Sequence, residues 1–288
     1  MKMKKLPVAI IFVMLSSVVW SAGLEPNELS GVIEPLIVAH RGACREAPEN
    51  TIPAFMMAWH QQADAIEGDF RLTSDGHIVC IHDANTKKVA TANLVIENST
   101  LKQLRQLDVG SHFSTDYKGT VIPTIAEVFA TVPKKKKIYI EIKCGTEIIG
   151  KLLEEIKKSG LKPEQIVVIS FDKQVVQELK AKSPKLKAML LVSFKRNKLG
   201  MVTPSRKLVM ENLAKTKADG LSSGKDHISK SFIEKVMKNG YEYHVWTVDD
   251  IKTAKRFKEW GAKSITTNVP GYMKKSLFGK TPPPVAKN

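Results

Sequence analysis

Short apolar runs alternate with amphipathic segments of helical length along almost the whole of this 288-residue chain. That alternation predicts an α/β protein, because strands buried on both faces of a helix-covered parallel sheet read as near-continuous apolar runs. The pattern repeats about eight times, which predicts the closed form of that architecture, a (β/α)8 TIM-type barrel. A third observation weighs against an open doubly wound sheet. The loop after the first apolar run is "HRGACRE" (40–46), not a glycine-rich dinucleotide loop. With 43% apolar and 26% charged residues, the composition suits one globular domain with a full core.

The elements follow in order. "LIVAH" (36–40) predicts the first strand and "TIPAFMMAWHQQ" (51–62) its helix. "AIEGDF" (65–70) and "HIVCIHD" (77–83) are joined by Ser74-Asp75-Gly76, a hairpin turn signal. The second barrel strand is therefore expected to continue into an antiparallel return. Residues 84–121 contain no clear barrel strand, only the short helix candidate "TLKQLRQLD" (100–108) and the loop "GSHFSTDYKG" (110–119). They predict a small rim insertion after the second strand. Further on, "KIYIEIK" (137–143), "QIVVIS" (165–170), "KAMLLVS" (187–193), "ADGLSS" (218–223), "YHVWTV" (243–248) and "KSITTN" (263–268) predict the remaining strands. Between them lie helical patterns with good stops, such as the Lys-Lys-Ser-Gly that ends "GTEIIGKLLEEIKKSG" (145–160). The barrel domain is expected over 34–275, followed by a flexible tail over 276–288.

Residues 1–23 carry Lys2, Lys4 and Lys5, an apolar run from Leu6 to Trp20, and then the small residues Ser21, Ala22 and Gly23. That layout predicts a secretory signal peptide over 1–22 and an exported, periplasmic or extracellular product. The apolar run is shorter than the ~20 residues of a membrane span. Trp20 is unusual beside a cleavage site, so an uncleaved anchor stays open as the alternative.

The formal net charge is +16, and its excess is mostly lysine, as in "KKKK" (134–137) and "LKAKSPKLKAMLLVSFKRNK" (179–198). Nucleic-acid surfaces mix arginine with stacking aromatics, whereas this chain is only 7% aromatic, so no nucleic-acid partner is expected. A solvated basic surface is the plain reading; weak attraction to a phosphate-bearing substrate or an anionic membrane surface is the functional one. Cys44, Cys80 and Cys144 are odd in number, which leaves at least one unpaired. Cys80 lies in an apolar run and is expected as a buried small hydrophobe. Cys44 and Cys144 both stand just past strand ends, where a disulfide between them is open.

In such a barrel, reactive groups collect at the C-terminal ends of the strands. There stand His40 and Arg41, Glu67 and Asp69, His82 and Asp83, Glu141 and Lys143, and His244, Trp246 and Thr247. Strand residues two apart share a face, so Glu67 and Asp69 face one way together, as do Glu141 and Lys143. Three buried carboxylates need compensation. A hard divalent cation, Mg²⁺ or Ca²⁺, would supply it; pairing with Arg41, Lys143 and other lysines is the alternative. His40 and His82 fit a general acid and general base. Arg41 can clamp a phosphate bidentately and Lys143 can add a point charge.

"HRGACREAPENTIPAF" with "IEGDFRLTSDGHIVCIHD", "YIEIK", "HVWTVDD" and the closing "ITTNVP" resembles the glycerophosphodiester phosphodiesterase family over about residues 36–272. The resemblance implies a barrel with an insertion after the second histidine. It implies one divalent metal, Mg²⁺ or Ca²⁺, on Glu67, Asp69 and Glu141, acid/base roles for His40 and His82, and phosphate contacts from Arg41 and Lys143. Trp246, within "HVWTVDD", joins them as a substrate-binding group. The implied substrate is a small glycerophosphodiester, cleaved to glycerol 3-phosphate and an alcohol. A phospholipase D-like lipid phosphodiesterase of the sphingomyelinase type and a non-catalytic phosphate-ligand binder are the alternatives. The chain departs from the family at Gly68, where a bulky apolar residue is usual, and in "ANTKKVA", where Lys87 and Lys88 stand in place of an arginine.

Overall fold

Runs of β-branched and aliphatic residues buried on both sides set the strands of the barrel. The computed structural model describes residues 34–279; the expected leader (1–22) and residues 280–288 of the expected tail lie outside the described residues. The strands are β1 (Leu36–Ala39), β2 (Ala65–Leu72), β3 (Ile78–Cys80), β4 (Lys137–Ile142), β5 (Ile166–Ser170), β6 (Lys187–Val192), β7 (Lys195–Arg196), β8 (Val202–Thr203), β9 (Gly220–Gly224), β10 (Glu242–Trp246) and β11 (Ser264–Thr267). The helices are α1 (Ile52–His60), α2 (Leu101–Leu104), α3 (Ile125–Ala130), α4 (Ile148–Ser159), α5 (Lys173–Lys182), α6 (Arg206–Thr216), α7 (Lys230–Lys238), α8 (Ile251–Glu259) and α9 (Pro270–Phe278).

Eight strands pair in parallel in the order β1-β11-β10-β9-β6-β5-β4-β2, and β1 then pairs β2 through Val38↔Ala65 and Ala39↔Ile66. That last pairing closes the sheet into a (β/α)8 barrel, as the alternation predicts. β3 is the expected antiparallel return on β2, with Phe70 opposite Cys80, and Gly76 supplies the positive φ of the turn. Several helices begin at side-chain caps. Thr51, Asp172, Ser205, Ser229 and Asp250 each accept a first-turn backbone N–H, each worth about 1 kcal/mol.

The largest apolar cluster lies between sheet and helices. A second fills the barrel and includes Val38, Tyr139, Val167, Ile169, Met189 and Leu191. The rim insertion packs on β3 and its flanks through a small separate core, in which Ile96, Leu104 and Val109 of the insertion meet Val79, Ile81 and Ile122. Two features differ from the sequence expectation. α9 continues through Phe278, past the expected domain end at 275, because Leu277 and Phe278 still pack against the main core. A short hairpin, β7 with β8, follows β6; two-residue strands in a polar stretch carry no periodicity to read.

Candidate active site

Strand alternation turns Glu67 and Asp69 of β2 into the barrel, and the parallel register sets Asp69 beside Glu141 of β4. One carboxylate oxygen from each of the three lies within 4.8 Å of the others. All are buried, at 2%, 1% and 8% exposure. Around them opens a cavity of about 270 Å³, lined also by His40, Arg41, His82, Lys143, Phe171 and Trp246. The structure therefore brings together the eight residues nominated for metal, acid/base and substrate roles.

The loop after β1 shapes one wall. Arg41 and Gly42 both take positive φ, and a Cβ on Gly42 would come within 2.6 Å of the Ala54 carbonyl carbon, so only glycine fits there. This turn aims the Arg41 backbone N–H at Glu67 Oε2 (2.9 Å). The Arg41 guanidinium donates through Nη1 to Glu49 (2.9 Å), while its Nε makes a charge contact with Asp69 Oδ2 at 3.2 Å. Asn50, also at positive φ, grips Asp69 twice. Its Nδ2 donates to Oδ2 (2.8 Å) and its Oδ1 accepts the Asp69 backbone N–H (3.0 Å). From sequence, Glu49 and Asn50 are only helix-start residues. Nothing in the sequence marks Glu49, and Asn50's tolerance of a left-handed backbone was the only available signal.

Two cations face three acids. Lys143 Nζ lies 2.8 Å from Glu141 Oε1 and 3.7 Å from Asp69 Oδ1. Glu67 Oε1 remains buried without a hydrogen-bond partner. Burial, then the Asp69 and Glu141 charges, push Glu67 well above the usual carboxylate range; Arg41 opposes this. Glu141 is pushed up to about 7, by burial first and Asp69 second, against Lys143. An orphaned buried carboxylate oxygen amid oxygen donors fits a hard divalent cation.

The histidines approach from separate strands. His40 Nδ1–H donates to Asn268 Oδ1 (2.7 Å), whose own Nδ2 donates to Asp249 (2.6 Å). That fixes the tautomer and leaves Nε2 as the free base. Burial and the Arg41 charge lower the His40 pKa. His82 Nδ1 meets Asp83 Oδ1 at 2.5 Å, and its Nε2 lies 3.2 Å from Lys143 Nζ. Asn268 and Asp249 cannot be linked to His40 from sequence, because only barrel closure brings β11 beside β1.

Other nominated residues lie apart. His244 is one layer deeper than Trp246, with Nδ1 on Ser264 (2.7 Å) and Nε2 on Glu242 (3.2 Å), and it does not line the mouth cavity. All three cysteines are free, so no Cys44–Cys144 disulfide forms. The Cys44 thiol turns to Asn268 Oδ1 (3.1 Å), whereas Cys144 lines a separate groove with Arg71 and Glu147. Gly68 is explained by packing: a Cβ there would lie 3.1 Å from Cys80 Sγ and 3.2 Å from the Phe55 ring, which fill the missing side chain's space. Lys87 and Lys88 are exposed and do not line the mouth cavity.

The model of the glycerophosphoryl diester phosphodiesterase family matches residues 40–272. A glycerophosphodiester phosphodiesterase of Caldanaerobacter subterraneus subsp. tengcongensis is 32% identical over 83% of this chain and 96% of its own length. One from Bacillus subtilis is 28% identical over 85% of this chain and 87% of its own. Among solved structures, a Thermotoga maritima glycerophosphodiester phosphodiesterase superposes with a TM-score of 0.68 at 26% identity, over 84% of this chain and 98% of its own. An Oleispira antarctica phosphodiesterase, solved with the product sn-glycerol-3-phosphate, superposes at 0.75 with 23% identity, over 84% and 96%. Matched along nearly the whole barrel, the chain belongs to the glycerophosphoryl diester phosphodiesterase family.

Proposed function

We propose that this protein hydrolyses glycerophosphodiesters to glycerol 3-phosphate and an alcohol at the mouth of its barrel. The observation that carries the reading is the buried trio of Glu67, Asp69 and Glu141, with one oxygen unpartnered, beside two cations and two histidines. The trio would hold one divalent cation, Mg²⁺ or Ca²⁺. When bound, that ion supplies Lewis-acid stabilisation of charge on the phosphoryl group. Arg41 and Lys143 hold phosphate oxygens, and Trp246 with Phe171, edge to face at 5.6 Å, walls the substrate.

His40 presents a neutral Nε2 to the cavity and takes the proton from the attacking oxygen. His82, its Nδ1 held by Asp83, carries a proton on Nε2 in the reacting complex, with Lys143 turned to the phosphate, and gives that proton to the leaving alcohol. The Oleispira protein's bound glycerol 3-phosphate supports the same product here. The leader pattern over 1–22 supports export and a reaction outside the cytoplasm.

The test is a substrate panel with and without chelator. Glycerophosphocholine should yield glycerol 3-phosphate, and chelator should stop the reaction. Release of phosphocholine, exclusive turnover of intact lipid, or full activity in chelator would overturn the reading.

A further inference from the structure

Beside the mouth cavity runs a second, larger groove of about 610 Å³, between the ends of β5 and β6, the β7–β8 hairpin and α6. The two spaces share Phe171, Leu191 and Trp246, so the groove adjoins the mouth cavity along those three side chains. The mouth cavity, about 270 Å³, already contains the charged groups that grip a phosphate; the groove is where the remaining half of a diester finds room.

The chemistry of that groove is one-sided. Lys173 and Lys195 line it, both exposed, and no acidic residue is among its described lining residues. Ser193, Thr203 and Asn212 add neutral hydrogen-bonding groups. A site for a cationic alcohol such as choline needs open aromatic faces or carboxylates. Here Phe171 and Trp246 meet edge to face, and the Phe171 ring already lies 6.0 Å from the Lys143 ammonium.

Resting on the hydrolase reading above, we propose that this groove is the alcohol subsite and that it selects glycerophosphodiesters whose alcohol carries an anionic group of its own. Lys173, at the start of α5, and Lys195, at the base of the hairpin, contact that second anion.

Matched substrate pairs test this. Glycerophosphoserine differs from glycerophosphoethanolamine by one carboxylate, and a phosphorylated glycerophosphoinositol differs from glycerophosphoinositol by one phosphate. In each pair the more anionic member should have the higher kcat/KM, about tenfold at low ionic strength, the sum of two exposed ion pairs. Added salt should shrink the preference. The double variant Lys173→Glu, Lys195→Glu should invert it, and Lys173→Ala, Lys195→Ala should abolish it. Equal kcat/KM within each wild-type pair, or a preference that survives both variants, would overturn the alcohol subsite while leaving the hydrolase reading intact. Failure to turn over any diester would overturn both.

Discussion

At the floor of the barrel, buried His244 and half-exposed Glu242 and Lys187 form a continuous chain of polar contacts. Ser264 bonds His244 Nδ1 (2.7 Å), Glu242 Oε2 takes Nε2 (3.2 Å), and Lys187 Nζ donates to Glu242 Oε1 (2.6 Å). At the mouth, the same strand alternation buries Glu67, Asp69 and Glu141, but the bonds do not close and Glu67 Oε1 is left over. Their electrostatics diverge accordingly. The His244 hydrogen bond, and then Lys187, hold Glu242 down to about 2, while burial and neighbouring acids push Glu141 up to about 7. A satisfied polar network holds a fold together; an unsatisfied one is strained until a ligand completes it.

The difference breaks most visibly at Glu67. Glu67→Gln should lower the rate of glycerol 3-phosphate release by about a thousandfold, the effect of losing several kcal/mol of cation stabilisation. In chelator the same variant should melt no lower than the wild type, since it relieves repulsion. A large drop in metal-free melting temperature would place Glu67 with the structural groups.

The histidines come next. His40→Ala and His82→Ala should each slow turnover by about 10²–10⁴-fold. A substrate with a nitrophenolate leaving group needs little protonation and should restore much of the rate to His82→Ala but not to His40→Ala. Equal, unrescued losses would remove His82 from the acid role. Asn268→Ala frees the His40 ring and should cost up to about a hundredfold, with a changed pH–rate profile.

The floor should respond least in activity and most in stability. Glu242→Gln should leave kcat near wild type and cost about 1 kcal/mol, a figure already reduced for the carboxylate's partial exposure. Because the folded carboxyl titrates at about 2, below the unfolded value of about 4.3, its contribution is full above that value and fades as pH falls toward 2. Urea denaturation should therefore separate variant from wild type at pH 6 and progressively less between pH 4 and 3. A gap that widened in acid would contradict the floor network.

Local periodicity carried what could be read without coordinates. Glu67 and Asp69 stand two apart in one apolar run and Glu141 stands in the next barrel strand, so their convergence follows from strand geometry alone. Contacts that depend on closure were hidden: Asn268 reaches His40 only because β11 pairs β1 across the seam. Depth along a strand was hidden too. His244 and Trp246 share a face, yet one belongs to the floor and the other to the mouth. Loop strain was invisible at Asn50, and the orientation of Cys44 toward Asn268 depended on that loop rather than on its distance from a strand end.

The most direct test of the unsatisfied trio is a calorimetric titration of Mg²⁺, and separately of Ca²⁺, into the metal-free wild type and Glu67→Gln. The expected result is one cation per wild-type chain, displaced by chelator, with no binding to a variant whose circular dichroism matches the wild type. Unchanged binding to Glu67→Gln, or a wild type that hydrolyses glycerophosphodiesters while binding neither ion, would contradict it.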